Sequence, residues 1–233
     1  MDSRKIKNEN YLRKENNMTK NIEKYIDHTL LAPQATKEQI KKICDEAAEN
    51  HFASVCINPK HVAYCASLLK GTGVNVCTVI GFPLGANTSE IKAAEAKKAV
   101  EDGAQEVDMV IDIGAAKEHD YDHVQKDVEA VRKATPSDHV LKVIIEACLL
   151  TDEEKVEVCK RCAAAKADFV KTSTGFSTGG ATPEDVALMY KTVAPNLKVK
   201  AAGGIRDRVT AEKMIEAGAS RLGTSHGVDI MKS

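Results

Sequence analysis

Three charged residues stand inside apolar, strand-like runs, where an unpaired charge is costly. Lys171 closes the run in "ADFVKTSTGF", Lys200 lies in "LKVKAAGG", and Asp108 lies in "EVDMVIDI". A neutral lysine amine attacks carbonyl carbons and forms Schiff bases. A free lysine has a pKa of ~10.4, so only about one amine in 2,500 is neutral at pH 7. Lowering that value by ~3 units corresponds to ~4 kcal/mol. A second cation ~4 Å away, at an effective dielectric of ~20, supplies about that much. Burial pushes the same way, and a nearby carboxylate opposes it. Lys171 is therefore the candidate nucleophile and Lys200 the cation that frees its amine. Asp108 is the candidate acid and base that moves protons as water leaves and returns. The same three residues also admit a bracing ion network with no chemistry.

A second group is rich in glycine. Gly203 and Gly204 stand in "KAAGGIRD", Gly223 and Ser225 in "RLGTSHG", and Gly175 ends the Thr-Ser-Thr-Gly that follows Lys171. Backbone N–H groups of such turns, and helix starts beside them, hold phosphate. Tight turns alone also call for glycine.

The elements that must position these residues follow from hydrophobic periodicity. Short Val- and Ile-rich runs recur at 24–31, 53–58, 74–82, 106–113, 140–147, 168–174, 197–204 and 221–225. Between them lie charged, Ala-rich segments of helical period such as "TKEQIKKICDEAAEN" and "TDEEKVEVCKRCAAAKA". Helix starts are marked by Thr or Asp before acidic residues, as in Thr182-Pro183-Glu184, and stops by Gly103 and Gly218. Strands alternating with helices predict an α/β fold, a single (β/α)8 TIM barrel over residues 21–233, with a polar tail over 1–20. Met18 is a candidate alternative start. A doubly wound open sheet is the second choice, but no GxGxxG follows a strand. In a barrel the site lies at the carboxyl ends of the strands. That places Lys171 and Lys200 on consecutive strands, ~4.8 Å apart. Asp27, Asp112, Lys142 and Glu146 are the other polar residues in or after such runs. Lys142 comes early in its run and is expected to sit low.

Composition narrows the function classes. The chain has 233 residues, 43% of them hydrophobic, with 33 Lys and Arg against 34 Asp and Glu. A near-neutral balance argues against a nucleic-acid partner, and no apolar stretch is long enough for a membrane span. A soluble, cytoplasmic protein is expected. The seven cysteines lie mostly among apolar neighbours and read as reduced, buried thiols. Cys159 and Cys162 form a CxxC inside a helical pattern without a second ligand pair. His119 and His123 have metal-like spacing but sit among surface charges, and no histidine cluster marks the strand ends. Other phosphate-binding barrel enzymes, such as a sugar-phosphate isomerase or a transaldolase-like enzyme, fit much of this pattern. So does a barrel that binds a phosphorylated ligand without turning it over.

The motifs "DHTLL", "SVCINP", "EVDMVIDIG", "LKVIIE", "FVKTSTGF", "KAAGGIRD" and "RLGTS", running from about Tyr25 to the C-terminus, resemble the DeoC family of class I aldolases. The resemblance implies Lys171 as the Schiff-base lysine, Lys200 as its proton-transfer partner and Asp108 as the relay carboxylate. It implies phosphate contacts around Gly175, Gly203, Gly204, Gly223 and Ser225. It further implies reversible cleavage of 2-deoxy-D-ribose 5-phosphate to D-glyceraldehyde 3-phosphate and acetaldehyde, in deoxynucleoside catabolism. Neither metal nor cofactor is implied, and the assembly expected is a homodimer or homotetramer. Two departures stand out. Some family members end in a tyrosine tail where this sequence reads "VDIMKS", so enamine protonation would fall to water or to the Asp108/Lys200 cluster. His226 stands where some members have a second serine.

Overall fold

The computed structural model describes residues 19–232. Eight parallel strands run in sequence order: β1 (Ile26–Leu30), β2 (Ser54–Ile57), β3 (Asn75–Ile80), β4 (Glu106–Val110), β5 (Val140–Ile144), β6 (Phe169–Lys171), β7 (Lys198–Ala202) and β8 (Arg221–Thr224). They close into a barrel, β8 pairing with β1 through Asp27 and Gly223. The closure excludes the open doubly wound sheet. Most of the polar tail expected over 1–20 lies outside the described residues, whose first element is a 3-10 stretch over Thr19–Tyr25.

Among the described residues nine α-helices alternate with the strands: α1 (Lys37–Glu49), α2 (Val62–Leu69), α3 (Ser89–Glu101), α4 (Ile113–Lys117), α5 (Tyr121–Ala134), α6 (Asp152–Ala164), α7 (Pro183–Val193), α8 (Arg208–Glu216) and α9 (Gly227–Lys232). Their sequence periodicity explains their seating. In α1 the buried residues are Ile40, Ile43, Cys44 and Ala47, the i, i+3, i+4, i+7 stripe of a helix lying on a sheet. Thr36 with Gln39, and Thr151 with Glu154, form reciprocal capping boxes at the starts of α1 and α6. Thr182 accepts from the Asp185 N–H with Pro183 in the first turn of α7. Each buried Val, Ile or Leu of the layer between strands and helices contributes about 1.5–3 kcal/mol relative to exposure.

The register positions the candidate residues. Lys171 lies level with Lys200 across β6 and β7, and Asp108 lies level with Lys142 across β4 and β5. The sixth strand ends at Lys171, three residues before the sequence pattern suggests. Thr172, Ser173 and Thr174 are buried loop: Thr172 N–H still donates to Lys200 O at 3.1 Å, whereas Ser173 Oγ and Thr174 N–H pair with the side chains of Thr172 and Glu146. All seven cysteines are free, and Cys148 alone of them is exposed.

Candidate active site

Inside the barrel, charged side chains from six strands meet: β1, β4, β5, β6, β7 and β8. Asp108 is fully buried and uses both carboxylate oxygens. Its Oδ2 accepts from Lys171 Nζ at 2.8 Å and Lys200 Nζ at 2.7 Å. Its Oδ1 accepts from Lys142 Nζ at 2.9 Å, with the Cys77 thiol 3.2 Å away. Lys171 and Lys200 thus share one oxygen atom, and their amines are no further apart than the sum of those two contacts. The three residues expected to act together do meet. Lys142, expected to sit low, reaches Asp108 nonetheless, because its register partner across β4 and β5 is Asp108 itself.

A lower layer completes the network. Lys200 Nζ also lies 2.5 Å from Asp27 Oδ2, and Lys142 Nζ pairs with Glu106. Arg221 bonds Asp27 Oδ1 at 2.7 Å and Glu106 Oε2 at 2.9 Å. Ser54 donates to Asp27 at 2.7 Å and Asn75 to Glu106 at 2.9 Å. Glu106 and Arg221 are members of the network that sequence reasoning misses. Each opens its strand, and their signal is a charge at the first position of an apolar run.

The electrostatics follow from this pairing. Burial alone would raise Asp108, but the ammonium groups of Lys142, Lys171 and Lys200 hold it well below the usual carboxylate range. Burial would likewise raise Asp27, and Lys200, Arg221 and Lys142 lower it. Burial lowers Lys200 and Lys142, and the carboxylates outweigh it: Asp108 then Asp27 for Lys200, chiefly Asp108 for Lys142. Both lysines therefore keep their protons more firmly than lysine in water. Two donor trios are close enough to hold an ion, Cys56 with Cys77 and Asp108, and Asp27 with Cys77 and Glu106. The Lys142 amine stands among them, 3.4 Å from Cys77 Sγ, and supplies a cation already.

Above this floor opens a cavity of about 520 Å³. Lys171, 3% exposed, reaches it, while Lys200 and Asp108 lie sealed beneath. All five residues expected around phosphate line it: Gly175, Gly203, Gly204, Gly223 and Ser225. Their loops are tied together. Ala181 N–H donates to Gly203 O at 3.0 Å. Thr224 Oγ1 donates to Ile205 O at 2.7 Å and accepts from His226 N–H at 2.9 Å. A Cβ on Gly180 would lie 2.4 Å from Gly203 O, so the loops after β6 and β7 approach this closely only through glycine. Arg206, exposed at the cavity rim, adds a cation that sequence reasoning does not single out. Its signal is a basic residue just past the glycine pair.

The side of the barrel formed by β1 to β3 is different. Leu31, Cys56, Cys77 and Val79 form a small apolar cluster of their own, with Phe82 packed on it. Phe82 meets Phe176 edge-on at 5.3 Å, and Phe176 lines the cavity. The remaining candidates fall elsewhere. Asp112 caps α4 by accepting from Ala115 N–H at 3.0 Å. His119 and His123 are largely exposed beside Glu154 and Asp112.

A closed (β/α)8 barrel whose glycine-lined cavity opens at the strand ends over a lysine backed by an ion network defines a class of sugar-phosphate and carbonyl enzymes. Within that class the chain belongs to the DeoC/LacD family of aldolases, whose model matches residues 22–233. It is 63% identical over 215 residues to the deoxyribose-phosphate aldolase of Geobacillus sp. (strain WCH70), covering 92% of this chain and 96% of that protein. It is 62% identical over 211 residues to the enzyme of the same name from Brevibacillus brevis, covering 91% and 95%. Among solved structures, the tetrameric deoxyribose phosphate aldolase from Aeropyrum pernix superposes with a TM-score of 0.86 at 36% identity, covering 91% of this chain and 90% of that one.

Proposed function

We propose that this chain is a class I aldolase that reversibly cleaves 2-deoxy-D-ribose 5-phosphate to D-glyceraldehyde 3-phosphate and acetaldehyde through a Schiff base on Lys171. The observation that carries the reading is the pairing of Lys171 and Lys200 on one oxygen of Asp108, with Lys171 reaching a glycine-lined cavity. Relatives at 62–63% identity with the matching name support the substrate.

Charge balance suggests how the nucleophile is supplied. The network joins four cationic side chains, Lys142, Lys171, Lys200 and Arg221, to three carboxylates, Asp27, Glu106 and Asp108. Loss of one proton leaves it balanced. Arginine does not give up its proton, and the carboxylates hold those of Lys142 and Lys200. Of the three amines, Lys171 is the one that faces the cavity. This differs from an isolated lysine pair: the neighbouring cation works within a network whose anions are already matched.

In the cleavage direction the Lys171 amine attacks C1 of the open-chain aldehyde to give a carbinolamine. A proton passed from Lys200 through Asp108 Oδ2 lets water leave, and an iminium forms. A base, water held by the same pair, takes the C3 hydroxyl proton. The C2–C3 bond breaks, its electron pair flows to the iminium nitrogen, and D-glyceraldehyde 3-phosphate departs. The remaining enamine is protonated at carbon, and water returns to release acetaldehyde and Lys171. Gly175, Gly203, Gly204, Gly223 and Ser225, with Arg206, hold the phosphate and so fix C3 relative to Lys171. The apolar side made by Leu31, Val79 and Phe82 suits a donor carbon without a hydroxyl.

We place the enzyme in the cytoplasm, in deoxynucleoside catabolism, with residues 21–233 as one catalytic domain and with neither metal nor cofactor in the mechanism. Among the described residues no helix is long and apolar enough to cross a membrane. We assign it a phosphorylated sugar as its partner, not nucleic acid or a membrane, and a homodimeric or homotetrameric state. The tetrameric relative from Aeropyrum pernix supports the latter.

The test is borohydride reduction in the presence of acetaldehyde, followed by peptide mass mapping. A two-carbon adduct on Lys171 is expected. A Lys171→Ala variant that still cleaves the substrate, with no adduct on Lys171 in the parent enzyme, would overturn the reading. Phosphosugar binding without turnover would support the non-catalytic alternative.

A further inference from the structure

Glu146 is a buried acid that the mechanism above does not use. It sits just past the end of β5, is 2% exposed, and has a left-handed backbone, φ 51°. Both features cost stability: a left-handed residue with a side chain about 1–2 kcal/mol, and a buried carboxyl group more unless it is hydrogen-bonded. Such costs persist where something else fixes them.

What Glu146 bonds is the loop that follows Lys171. One carboxyl oxygen accepts from Thr174 N–H at 3.1 Å, and the other accepts from Thr174 Oγ1 at 2.5 Å. With its proton committed to Glu146, Thr174 Oγ1 accepts from Phe176 N–H at 3.0 Å. The N–H groups on both sides of Gly175 are thus taken. Gly175 itself has φ +84°, lines the cavity, and has open space where a Cβ would lie. Among the described residues no hydrogen bond engages its N–H. The backbone on both sides of Glu146 is tied to the same loop, Ile145 N–H donating to Lys171 O at 3.0 Å and Ala147 N–H to Thr172 O at 2.8 Å.

We propose that Glu146 is a positioning residue for substrate phosphate: by claiming Thr174 it sets the turn that leaves the Gly175 N–H as the donor offered to the ligand. It touches neither substrate nor the reacting atoms. The side chain must be an acid because two acceptor oxygens are needed, one for the N–H and one for the hydroxyl. The left-handed backbone is needed because β5 must end while its side chain turns towards β6. The proposal rests on the reading of the cavity as a phosphate site.

The test compares kcat/KM for 2-deoxyribose 5-phosphate with that for unphosphorylated 2-deoxyribose in the full-length enzyme, in Glu146→Gln, in Thr174→Val and in the double variant. Acetaldehyde trapping on Lys171 is measured alongside. The phosphorylated-to-unphosphorylated ratio is expected to fall about tenfold in each single variant, the effect of one lost, well-placed donor, carried mostly by KM. The double variant is expected to lose no more than the worse single, because both act through one contact. Trapping is expected to persist, which separates this role from damage to the fold. Parent enzyme that prefers the phosphorylated sugar, with variants that keep that preference, would overturn the role of Glu146 alone. Equal losses on both sugars, or additive losses in the double variant, would do the same. A parent enzyme indifferent to the phosphate would instead overturn the reading of the cavity, and this proposal with it.

Discussion

The floor of the barrel and its mouth solve opposite problems with opposite materials. On the floor, Lys142, Lys200, Asp27, Glu106 and Asp108 are fully buried and hold one another by charge. At the mouth, glycine backbones and the hydroxyl residues Thr29, Thr174, Thr224 and Ser225 line the cavity, with Arg206 at its rim. Floor residues stand on strands in fixed register, so their side chains meet within hydrogen-bonding distance without loop ordering. Mouth residues, apart from Thr29 in β1 and Gly223 and Thr224 at the end of β8, stand on loops, and these are cross-tied by Thr224, Glu146 and the Gly180–Gly203 contact. The contrast teaches a division of labour: bond making is assigned to rigid strands, and substrate grip to loop backbone. Floor variants should therefore change kcat, and mouth variants KM.

The largest effect belongs to Lys171→Ala. Removing a covalent nucleophile lowers kcat on the order of 10⁶-fold in comparable cases, and cleavage should fall to background with no borohydride adduct. Phosphate binding, read by inorganic phosphate protecting the parent or variant against thermal unfolding, should persist, since the cavity walls remain. Loss of phosphate binding in that variant would break the division between floor and mouth. Next comes Lys200→Met, which removes the proton held beside Asp108 Oδ2. Acid–base groups of this kind supply about 10²–10⁴-fold in rate, so kcat should drop by that factor with KM within a few-fold. The variant also leaves Asp27 and Asp108 short of a cation, at a cost of about 3–5 kcal/mol. Denaturant unfolding checks that cost separately from the kinetics.

A pH series on stability tests the floor in another way. The folded values of Asp27 and Asp108 are lowered, so above the unfolded carboxylate value of ~3.9 their full contribution is present. It is lost as pH falls through the folded values, at about 1–3 kcal/mol per carboxylate. Lys142 and Lys200 are raised, so their contribution is complete below ~10.4 and is lost only as pH rises through those higher values. The contribution of the two carboxylates should be complete above about pH 5 and fall in acid. Denaturant unfolding that shows no loss of stability in acid would mean that Asp27 and Asp108 are not paired as described.

The same division explains what is legible in the sequence. Strand periodicity and the placement of Lys171, Lys200 and Asp108 inside apolar runs are enough to bring those three together, because parallel register converts position in a run into height in a barrel. The glycines at the mouth are legible too, since backbone binding leaves a compositional mark. The lower layer is not. Glu106 and Arg221 look like ordinary strand openings, and only barrel closure turns such positions inward to face Asp27 and Lys142. Lys142 reads as too low from its place in its own strand. Its height is set by the shear between β4 and β5, which a single strand does not reveal. The end of β6 at Lys171 is also hidden, because Ser173 and Thr174 are buried like a strand yet bonded to side chains.

The smallest effects carry the sharpest comparison, between two mouth glycines. Gly204 has φ +83°, and nothing lies within 4 Å of where a Cβ would stand. Gly204→Ala therefore meets backbone strain alone, about 1 kcal/mol, and should raise KM for the phosphorylated sugar about fivefold with kcat unchanged. Gly223 sits where mouth and floor touch. A Cβ there would lie 3.0 Å from Ala202 Cβ and 3.2 Å from Lys200 Cε, too tight unless the lysine stem shifts. Gly223→Ala should thus lower kcat by a few-fold as well as raising KM, because the displaced stem carries the amine that donates to Asp108 Oδ2. Steady-state kinetics on both variants decides the matter. If both change only KM, the floor tolerates pressure from above and the two regions are independent. If Gly204→Ala also lowers kcat, phosphate grip and bond making are coupled through loop position, and the division of labour between strands and loops is less clean than the geometry implies.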